Sequence, residues 1–261
     1  MVRLKTHVCS GESESWDTVW KWLWFTREVW ETEYWKEEEK ALKPILTLLS
    51  RLRVKSVLDC SCGLGYKTVL FAKAGYEAEG SDASATAIKY APKLAKGEGV
   101  SIRFFRSRYE ELGRKCKRKY DCVWSDNFDE INTYGCLKTS ARSIYSVLNP
   151  GGKLVFTAPP CGGLEKTIEK EWKRRKRFNA YLPCTKGSVR VTRIEIAEKT
   201  PEGILEHNVF LVEKGEFLRV EIASIMNPRI KWTLRDFKKV LKEVGFKQVS
   251  LVKEGCVLAV K

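Results

Sequence analysis

The sequence predicts an α/β fold, a mostly parallel sheet of seven strands flanked by helices, with an antiparallel β insertion after the fifth strand. Three observations support it. Short β-rich apolar segments alternate with helical segments up to Pro160, which is the pattern of βαβ units. Beyond Pro160, segments with alternating apolar and polar residues are joined by turns such as Lys214-Gly215. Finally, Thr233–Val244 is a clean amphipathic helix that two last strands follow.

The chain is expected to begin with a loose tail over Met1–Gly11 and a helix over Ser15–Lys40, where tryptophans recur every four residues, at Trp16, Trp20 and Trp24. A second helix is expected over Ala41–Leu52, with Pro44 early in it. Core strands are expected at Lys55–Cys60, Glu77–Ser81, Ser101–Phe105, Tyr120–Ser125 and Lys153–Ala158. The helices between them are expected at Lys67–Lys73, at Ala85–Ala95 with a stop or kink near Pro92, and at Gly135–Leu148.

The later segments complete this plan. They are a charged helix over Leu164–Phe178, insertion strands at Val189–Ala197, Leu205–Lys214 and Glu216–Ala223, and last strands at Gln248–Val252 and Cys256–Val260. Four parts result: an N-terminal helical cap (1–52), a core (53–160), a substrate-side antiparallel insertion (161–228) and a C-terminal helix with a hairpin that completes the core sheet (229–261).

Composition narrows the classes of function. No apolar run is long enough to span a membrane and no signal peptide is evident, so a cytoplasmic protein is expected. Nine cysteines without a Cys-x-x-Cys pair are read mostly as small buried residues, and two histidines predict no metal site. A net charge of +15 in a chain rich in Lys and Glu with two Met fits a thermophile-like surface. The charge leaves nucleic acid open as a partner without favouring it, and the sequence leaves homo-oligomerisation open.

The stretch from Val57 to Gly65 carries the strongest functional signal. A strand ends in Asp59, and Gly63-Leu64-Gly65 then opens a helix. Such glycines let a ligand approach the backbone at the carboxyl end of a parallel strand. The second strand ends in Asp82, at the spacing expected for an acid that binds the two hydroxyls of a ribose. The sequence therefore predicts a cofactor that contains a nucleoside.

The identity of that nucleoside depends on two details. A third glycine, which nicotinamide dinucleotide sites carry, is replaced by the run Tyr66-Lys67-Thr68. Asp59 would repel a pyrophosphate but attract the ammonium of an amino-acid tail. Both details favour S-adenosylmethionine over NAD.

This stretch resembles motif I of class I methyltransferases, which have a Rossmann-like fold, and Asn149-Pro150-Gly151-Gly152 resembles another hallmark of theirs. Asp82-Ala83-Ser84 with Ile88-Lys89-Tyr90-Ala91 looks like the glycine and glycine–sarcosine N-methyltransferases. The resemblance implies an enzyme of small-molecule N-methylation, with S-adenosyl-L-methionine as cofactor. It implies cofactor contacts from Asp59, Cys62, Gly63, Gly65, Asp82, Ala83, Arg108, Tyr109, Ser125, Asp126 and Trp20, and acceptor contacts from Asn127, Tyr34 and Tyr181. Asn127 is the expected catalytic residue, which orients the acceptor amine.

The chain departs from that family at two positions. Trp30 stands where the family has an arginine for the cofactor carboxylate, and Arg27, one turn earlier, is the expected substitute. After the fifth strand, Thr157–Pro160 lacks the arginine that grips glycine, which speaks against glycine and leaves another small-molecule acceptor expected.

Two other functions stay open. The basic cluster Lys173–Arg177 is compatible with methylation of RNA, another nucleic acid or protein, although no separate nucleic-acid module is visible. A non-catalytic subunit that binds S-adenosylmethionine is the other alternative.

Overall fold

The computed structural model describes residues 3–261. Its helices are α1 (Glu12–Phe25), α2 (Arg27–Arg51), α3 (Tyr66–Lys73), α4 (Ala85–Gly97), α5 (Leu112–Lys115), α6 (Tyr134–Val147), α7 (Leu164–Arg174) and α8 (Leu234–Val244). Its strands are β1 (Arg3–Val8), β2 (Ser56–Asp59), β3 (Glu77–Asp82), β4 (Arg103–Arg106), β5 (Tyr120–Ser125), β6 (Leu148–Thr157), β7 (Phe178–Ala180), β8 (Cys184–Lys186), β9 (Val189–Thr200), β10 (Gly203–Lys214), β11 (Phe217–Arg229), β12 (Gln248–Leu251) and β13 (Cys256–Val260).

These elements form two compact units, each assembled from two separate stretches of chain. The core unit comprises Glu37–Leu164 and Ile230–Lys261, and the insertion unit comprises the chain up to Lys36 together with Glu165–Arg229. The division into four segments expected from the sequence stays a prediction.

The core unit contains the seven-stranded sheet that the sequence predicts, in the order β12-β13-β6-β5-β2-β3-β4. The five strands from β6 to β4 run parallel, and β13 and β12 add antiparallel to one edge. Every residue of β2 is buried, as expected for a central strand with helices on both faces. The carboxyl ends of β2, β3 and β5 therefore meet at one edge of the sheet.

Helix α8 shows how local sequence fixes one of the covering helices. The Thr233 hydroxyl accepts from the Asp236 backbone N–H, and the Asp236 carboxylate accepts from the Thr233 N–H, which forms a capping box. Gly245 ends the helix in the left-handed region, with φ of 117°. The buried face packs Phe237 against Phe128 and Phe156 of the core. The amphipathic helix predicted over Thr233–Val244 is confirmed.

The insertion unit contains a second, six-stranded sheet in the order β1-β11-β10-β9-β7, with β8 also paired to β9. The long strands β9, β10 and β11 are antiparallel, which confirms the predicted antiparallel insertion. Helix α1 packs on one face of this sheet, where Val19 and Trp22 form an apolar cluster with Phe210 and Ala223.

The N-terminal expectations are wrong in two respects. The tail predicted over Met1–Gly11 contains strand β1, which pairs in parallel with β11 from Arg3↔Phe217 to Val8↔Ile222. Met1 and Val2 lie outside the described residues. The helix predicted over Ser15–Lys40 breaks instead at Thr26, whose N–H and hydroxyl both donate to the Trp22 carbonyl. Helix α2 then runs without interruption to Arg51 and includes most of the segment expected as a separate second helix.

Two helices continue through a proline. Pro44 lies inside α2, and Pro92, which was expected to stop or kink its helix, lies inside α4. Both prolines are exposed to solvent. Neither proline ring is therefore forced into the packed core, although each removes one helical hydrogen bond. The predicted charged helix ends early, at Arg174, because residues Phe178–Ala180 pair with β9 as strand β7.

All nine cysteines are free thiols, and five of them are buried. Among residues 3–261, no helix combines the length and apolarity needed to cross a lipid bilayer.

Candidate cofactor site

A glycine turn follows the central strand of the core unit. Strand β2 ends at Asp59, and the chain turns through Gly63 and Gly65, which have φ of 51° and 93°. These left-handed conformations strain any residue with a Cβ, so glycine is required at both positions. Gly65 is the N-cap of α3, and its N–H donates to the Cys62 carbonyl over 2.8 Å. The glycine turn thus opens a helix at the end of β2, as the sequence predicts.

Asp82 joins this turn to the neighbouring strand. It ends β3, and its Oδ2 accepts from the Gly63 N–H over 2.9 Å while Oδ1 accepts from the Ser84 N–H over 2.8 Å. A carboxylate offers about four acceptor sites, so both oxygens retain capacity for the hydroxyls of a ribose. The adjacent Ala83 carbonyl accepts from Arg106 Nε over 2.9 Å.

The Phe104 side chain packs directly against the glycines of this region. A Cβ added to Gly80, in β3, would lie 2.5 Å from Phe104 Cδ1 and 3.2 Å from Cys62 Sγ. A Cβ added to Gly65 would lie 3.1 Å from the same ring. The absence of side chains at both glycines lets Phe104 fix the position of the turn relative to β3.

Asp59 is a buried acid behind the turn. Its side chain is 2% exposed, and its Oδ2 accepts from the Thr68 hydroxyl over 2.7 Å. Burial raises the pKa of Asp59 to about 7, although the hydrogen bond from Thr68 acts in the opposite direction. The nearby Asp126 also raises this pKa, and Lys67 lowers it. Asp59 therefore changes charge near neutral pH.

We expect this titration to control the affinity for S-adenosylmethionine. Below pH 7, Asp59 is mostly protonated and does not attract an ammonium group, whereas above pH 7 it is a carboxylate. The Kd measured by calorimetry should therefore fall about tenfold per pH unit from pH 5 to 7 and then level off.

Two variants separate this effect from a general influence of pH. Asp59→Asn cannot ionise and should flatten the profile. Thr68→Val removes the donor to Asp59 Oδ2, so the midpoint should move to higher pH. An unchanged slope in Asp59→Asn would show that another group is responsible.

A hydroxyl chain links the ends of β2 and β5. Ser61 Oγ lies 3.0 Å from Ser125 Oγ, which lies 2.9 Å from the Tyr109 hydroxyl. The Tyr109 ring packs edge-on against Phe128, and burial raises the pKa of its hydroxyl well above the ordinary value. Tyr109 is thus a neutral, half-buried side chain beside the ends of β2 and β5. The preceding Arg108 is exposed to solvent.

Charged residues follow Ser125 at the end of β5. Lys67 Nζ, in the first turn of α3, binds Asp126 Oδ2 at 2.5 Å and also pairs with Glu38. Burial lowers the pKa of Lys67, but Asp126 and Glu38 outweigh it and raise that pKa well above its ordinary value. Asn127 directly follows this ion pair and precedes a short 3₁₀ turn. The ion pair therefore fixes the backbone that presents Asn127.

Asp129 is an acid in the same turn that the sequence reasoning missed. Its Oδ1 is buried and has no hydrogen-bond partner within residues 3–261. Burial raises the pKa of Asp129 well above the ordinary value, and Glu130 adds to the effect. Burial therefore favours the protonated form of Asp129 more than it does for an exposed aspartate. The sequence shows this acid two residues after Asn127, in the segment that follows β5, and that proximity could have marked it as a candidate site residue.

These residues fit a sulfonium nucleoside better than a dinucleotide. Asp82 provides a ribose acceptor, the glycine turn begins a helix at the end of β2, and Asp59 provides an acid for an ammonium group. Two carboxylates beside one turn oppose the binding of a pyrophosphate. Among the predicted contacts, the core unit brings together Asp59, Cys62, Gly63, Gly65, Asp82, Ala83, Tyr109, Ser125 and Asp126 at this edge of the sheet.

Four predicted site residues belong to the insertion unit. Trp20 stacks on Trp16 with ring centroids 5.4 Å apart, and Tyr34 meets Trp30 edge-on at 5.2 Å. The Arg27 guanidinium lies 4.2 Å from the centroid of the Trp24 ring, and the Tyr181 hydroxyl donates to Glu195 Oε2 over 2.9 Å. Their roles toward cofactor or acceptor stay predictions.

The sequence reasoning also missed Thr68 and Lys67. Thr68 holds Asp59, and Lys67 holds Asp126, so both support predicted residues without being predicted themselves. Their places in the first turn of the helix after the glycines offered a weak signal, because that turn faces the ends of β2 and β5.

The predicted absence of a metal site stays a prediction. One group of suitable donors occurs in the described chain, His7, Cys9 and Glu14, whose ligand atoms lie within 4.8 Å of one another. His7 Nε2 and Glu14 Oε1 are already hydrogen-bonded at 2.9 Å.

The basic cluster does not form a uniform cationic surface. Arg175 pairs with Glu195 at 3.3 Å and also with the buried Glu206. The Arg177 guanidinium lies 5.1 Å from the centroid of the Trp172 ring. Arg175 is thus engaged by acids of the insertion sheet, which weakens the case for nucleic-acid binding.

Known proteins resemble this chain in the same region. Residues 57–152 match the family model described as a methyltransferase domain. A malonyl-[acyl-carrier protein] O-methyltransferase from Salmonella typhimurium is 24% identical over 149 residues. That alignment covers 56% of this chain and 56% of the relative, so the match spans little more than half of the relative's length.

Solved structures match over more of the chain. DesVI from Streptomyces venezuelae superposes with a TM-score of 0.63 at 17% identity, over 90% of this chain and 97% of that one. The sugar N-methyltransferase KedS8 from Streptoalloteichus sp. gives a TM-score of 0.60 at 14% identity, over 86% of this chain and 84% of the other. At these identities the structures show the fold alone, and that fold is the Rossmann-like class I methyltransferase fold.

Proposed function

We propose that this chain, whose residues 57–152 form a class I S-adenosylmethionine-dependent methyltransferase domain, transfers a methyl group to a small-molecule amine. The observation that carries the proposal is the connection between Asp82 and Gly63. It holds a ribose-binding acid against a glycine turn, with the buried acid Asp59 behind it. That combination supports a cofactor with a sugar, an ammonium group and no phosphates.

An amine as acceptor is supported by one structural neighbour and by Asn127, whereas the relative from Salmonella typhimurium is an O-methyltransferase. The KedS8 structure is described as a sugar N-methyltransferase, and its match extends over most of this chain, including strands of the insertion. Asn127 offers an amide oxygen for an amine N–H directly after the ordered Asp126. An amino sugar is therefore the first acceptor to test. The closer resemblance to glycine N-methyltransferases is compatible with an amine but stays a prediction.

The chemistry requires little more than alignment. S-adenosylmethionine supplies a methyl group on a sulfonium, whose leaving group is a neutral thioether. Asp82 accepts hydrogen bonds from the ribose hydroxyls, and the glycine turn admits the methionine portion. Asn127 orients the amine, and holding the two reactants in line supplies most of the rate enhancement. The amine must arrive neutral or lose its proton to water or a nearby side chain before it attacks the methyl group.

The decisive experiment incubates the protein with methyl-labelled S-adenosylmethionine and a cell extract. The products are fractionated into small molecules, lipid, nucleic acid and protein, and an amino-sugar panel is tested in parallel. We expect label in the small-molecule fraction and in at least one amino sugar, with none in reactions with Asp82→Ala.

Other outcomes would contradict the proposal in distinct ways. Label in RNA or protein, lost on raising the salt concentration, would favour the macromolecular alternative. Tight cofactor binding by calorimetry without transfer to any fraction would favour a non-catalytic subunit.

A further inference from the structure

The two faces of the insertion sheet differ in burial, and the face that α1 covers buries polar side chains beside its apolar cluster. On the face that α1 covers, Glu206, Asn208 and Glu221 are buried, at 4%, 0% and 2% exposure. Their polar atoms are satisfied locally: Trp22 Nε1 donates to Glu221 over 2.8 Å, and Arg193 Nε donates to Asn208 over 2.8 Å. This inner face thus buries charges within the unit.

The opposite face, here called the outer face, is apolar and uncovered. It carries the alternate residues of each strand, and none of the odd-numbered side chains of β10 from Leu205 to Glu213 is fully buried. Leu4, Val8, Phe178 and Ile196 of this face are 62%, 61%, 62% and 41% exposed. These four are half of the eight large apolar side chains that are exposed within residues 3–261. Such a concentration on one surface marks a site of association.

We propose that the outer face is the interface of a homodimer, in which two copies of this chain pack sheet against sheet about a two-fold axis. Strands spaced about 4.8 Å apart and rising about 3.3 Å per residue give this face an area of roughly 700 Å². Stable interfaces bury about 600–1,000 Å² from each partner, and the area of this face lies within that range. A face that meets its own copy is necessarily self-complementary in a two-fold dimer.

Several polar side chains of the outer face already have partners within the same chain. His207 Nδ1 lies 2.8 Å from Ser224 Oγ, and His207 Nε2 lies 3.3 Å from Glu198. At the opposite end of strands β9 and β10, Arg190 Nε lies 3.9 Å from Glu213 Oε1. The positive and negative charges at that edge of the outer face therefore offset each other. Covering the face therefore leaves few polar atoms without partners, and the +15 charge of the chain is not concentrated there.

Other occupants fit the outer face less well. A small molecule needs a concave pocket that surrounds most of its surface, whereas an open sheet face offers one side only. An anionic membrane attracts clusters of basic residues, and the rim of this face carries Glu198 and Glu213. A second copy is the partner whose shape and charge match. This inference does not depend on the identity of the methyl acceptor.

The test measures the molar mass of the full chain by light scattering and sedimentation over protein concentrations from about 1 to about 100 µM, a range that brackets a dimer of ordinary affinity. Wild-type protein should be a dimer. Val209→Lys places a charge at the centre of the face, where it is solvated in the monomer but buried in the dimer, and should raise the dimer dissociation constant at least about 100-fold. Val209→Thr keeps the β-branched shape and should raise it several-fold.

Leu251→Lys is the matched control, because Leu251 is also exposed, at 45%, but lies in the core unit. It should leave the dimer intact, and circular dichroism should be the same for all variants. Because Val209→Thr preserves the shape of the strand, it keeps the test decisive even if Val209→Lys misfolds. A wild type that stays monomeric at the highest concentration, a dimer that both Val209 variants leave unaffected, or monomers that bind anionic vesicles through this face would overturn the proposal.

Discussion

Replacing Asp82 with alanine is expected to weaken the binding of S-adenosylmethionine by at least about 100-fold. Hydrogen bonds to a charged acceptor contribute about 1.5–3 kcal/mol each, and a ribose offers two hydroxyls to this carboxylate. The substitution also frees the Gly63 N–H, which donates to Asp82 Oδ2 over 2.9 Å, so the turn loses its link to β3. Titration calorimetry with S-adenosylmethionine and with its demethylated product measures the loss directly.

Two further variants and a stability measurement test whether the lost affinity comes from the ribose contact. Glu39→Ala removes an exposed acid from α2 in the same unit and should not change the affinity. Asp82→Asn keeps one acceptor oxygen and should fall between wild type and alanine. The thermal midpoint should fall only slightly in Asp82→Ala. Full affinity in the alanine variant would remove the ribose contact, and with it the main support for the nucleoside site.

The second large effect concerns Gly80. Its replacement by alanine should lower the free energy of unfolding by about 1–3 kcal/mol, which is the usual cost of forcing an extra methyl group into a packed interior. The new Cβ would lie 2.5 Å from Phe104 Cδ1, so the ring has to move. Because the same ring contacts Gly65, the displacement should also weaken cofactor binding. Urea denaturation and calorimetry measure the two consequences.

The chain offers both a control and a rescue for this prediction. Gly97 ends α4 in open space, with no heavy atom within 4 Å of an added Cβ, so Gly97→Ala should be neutral or slightly stabilising. Phe104→Leu shortens the obstructing side chain. In a double-mutant cycle, Gly80→Ala should cost less when it is combined with Phe104→Leu than when it is made alone. Additive effects of the two substitutions would mean that Phe104 is not the obstacle.

The sequence predicted the parts of the site that depend on local chemistry. Strand β2, the turn with Gly63 and Gly65, and the spacing to Asp82 follow from short-range rules that tertiary structure did not override. The partners of those residues were harder to foresee. The bond from Thr68 to Asp59 and the pairing of Lys67 with Asp126 and Glu38 depend on how α3 and α2 pack, which no local pattern specifies.

Strand β1 shows a second kind of limit. Its residues, Arg-Leu-Lys-Thr-His-Val, alternate polar and apolar character weakly, and its partner β11 lies more than two hundred positions away in the chain. Propensity alone favours a tail, and only the unpaired edge of β11 turns the segment into a strand. Likewise, the exposed position of Pro92 lets α4 continue through a proline that a sequence rule reads as a stop.

The pairing of β1 with β11 has a consequence for biosynthesis. Residues 3–8 leave the ribosome long before the strand that receives them, which begins only at Phe217. At about 5–20 residues per second, this interval lasts roughly 10–40 seconds. During that time the nascent chain carries an unpaired strand-forming segment with no complementary edge, which a chaperone that binds emerging polypeptides has time to shield.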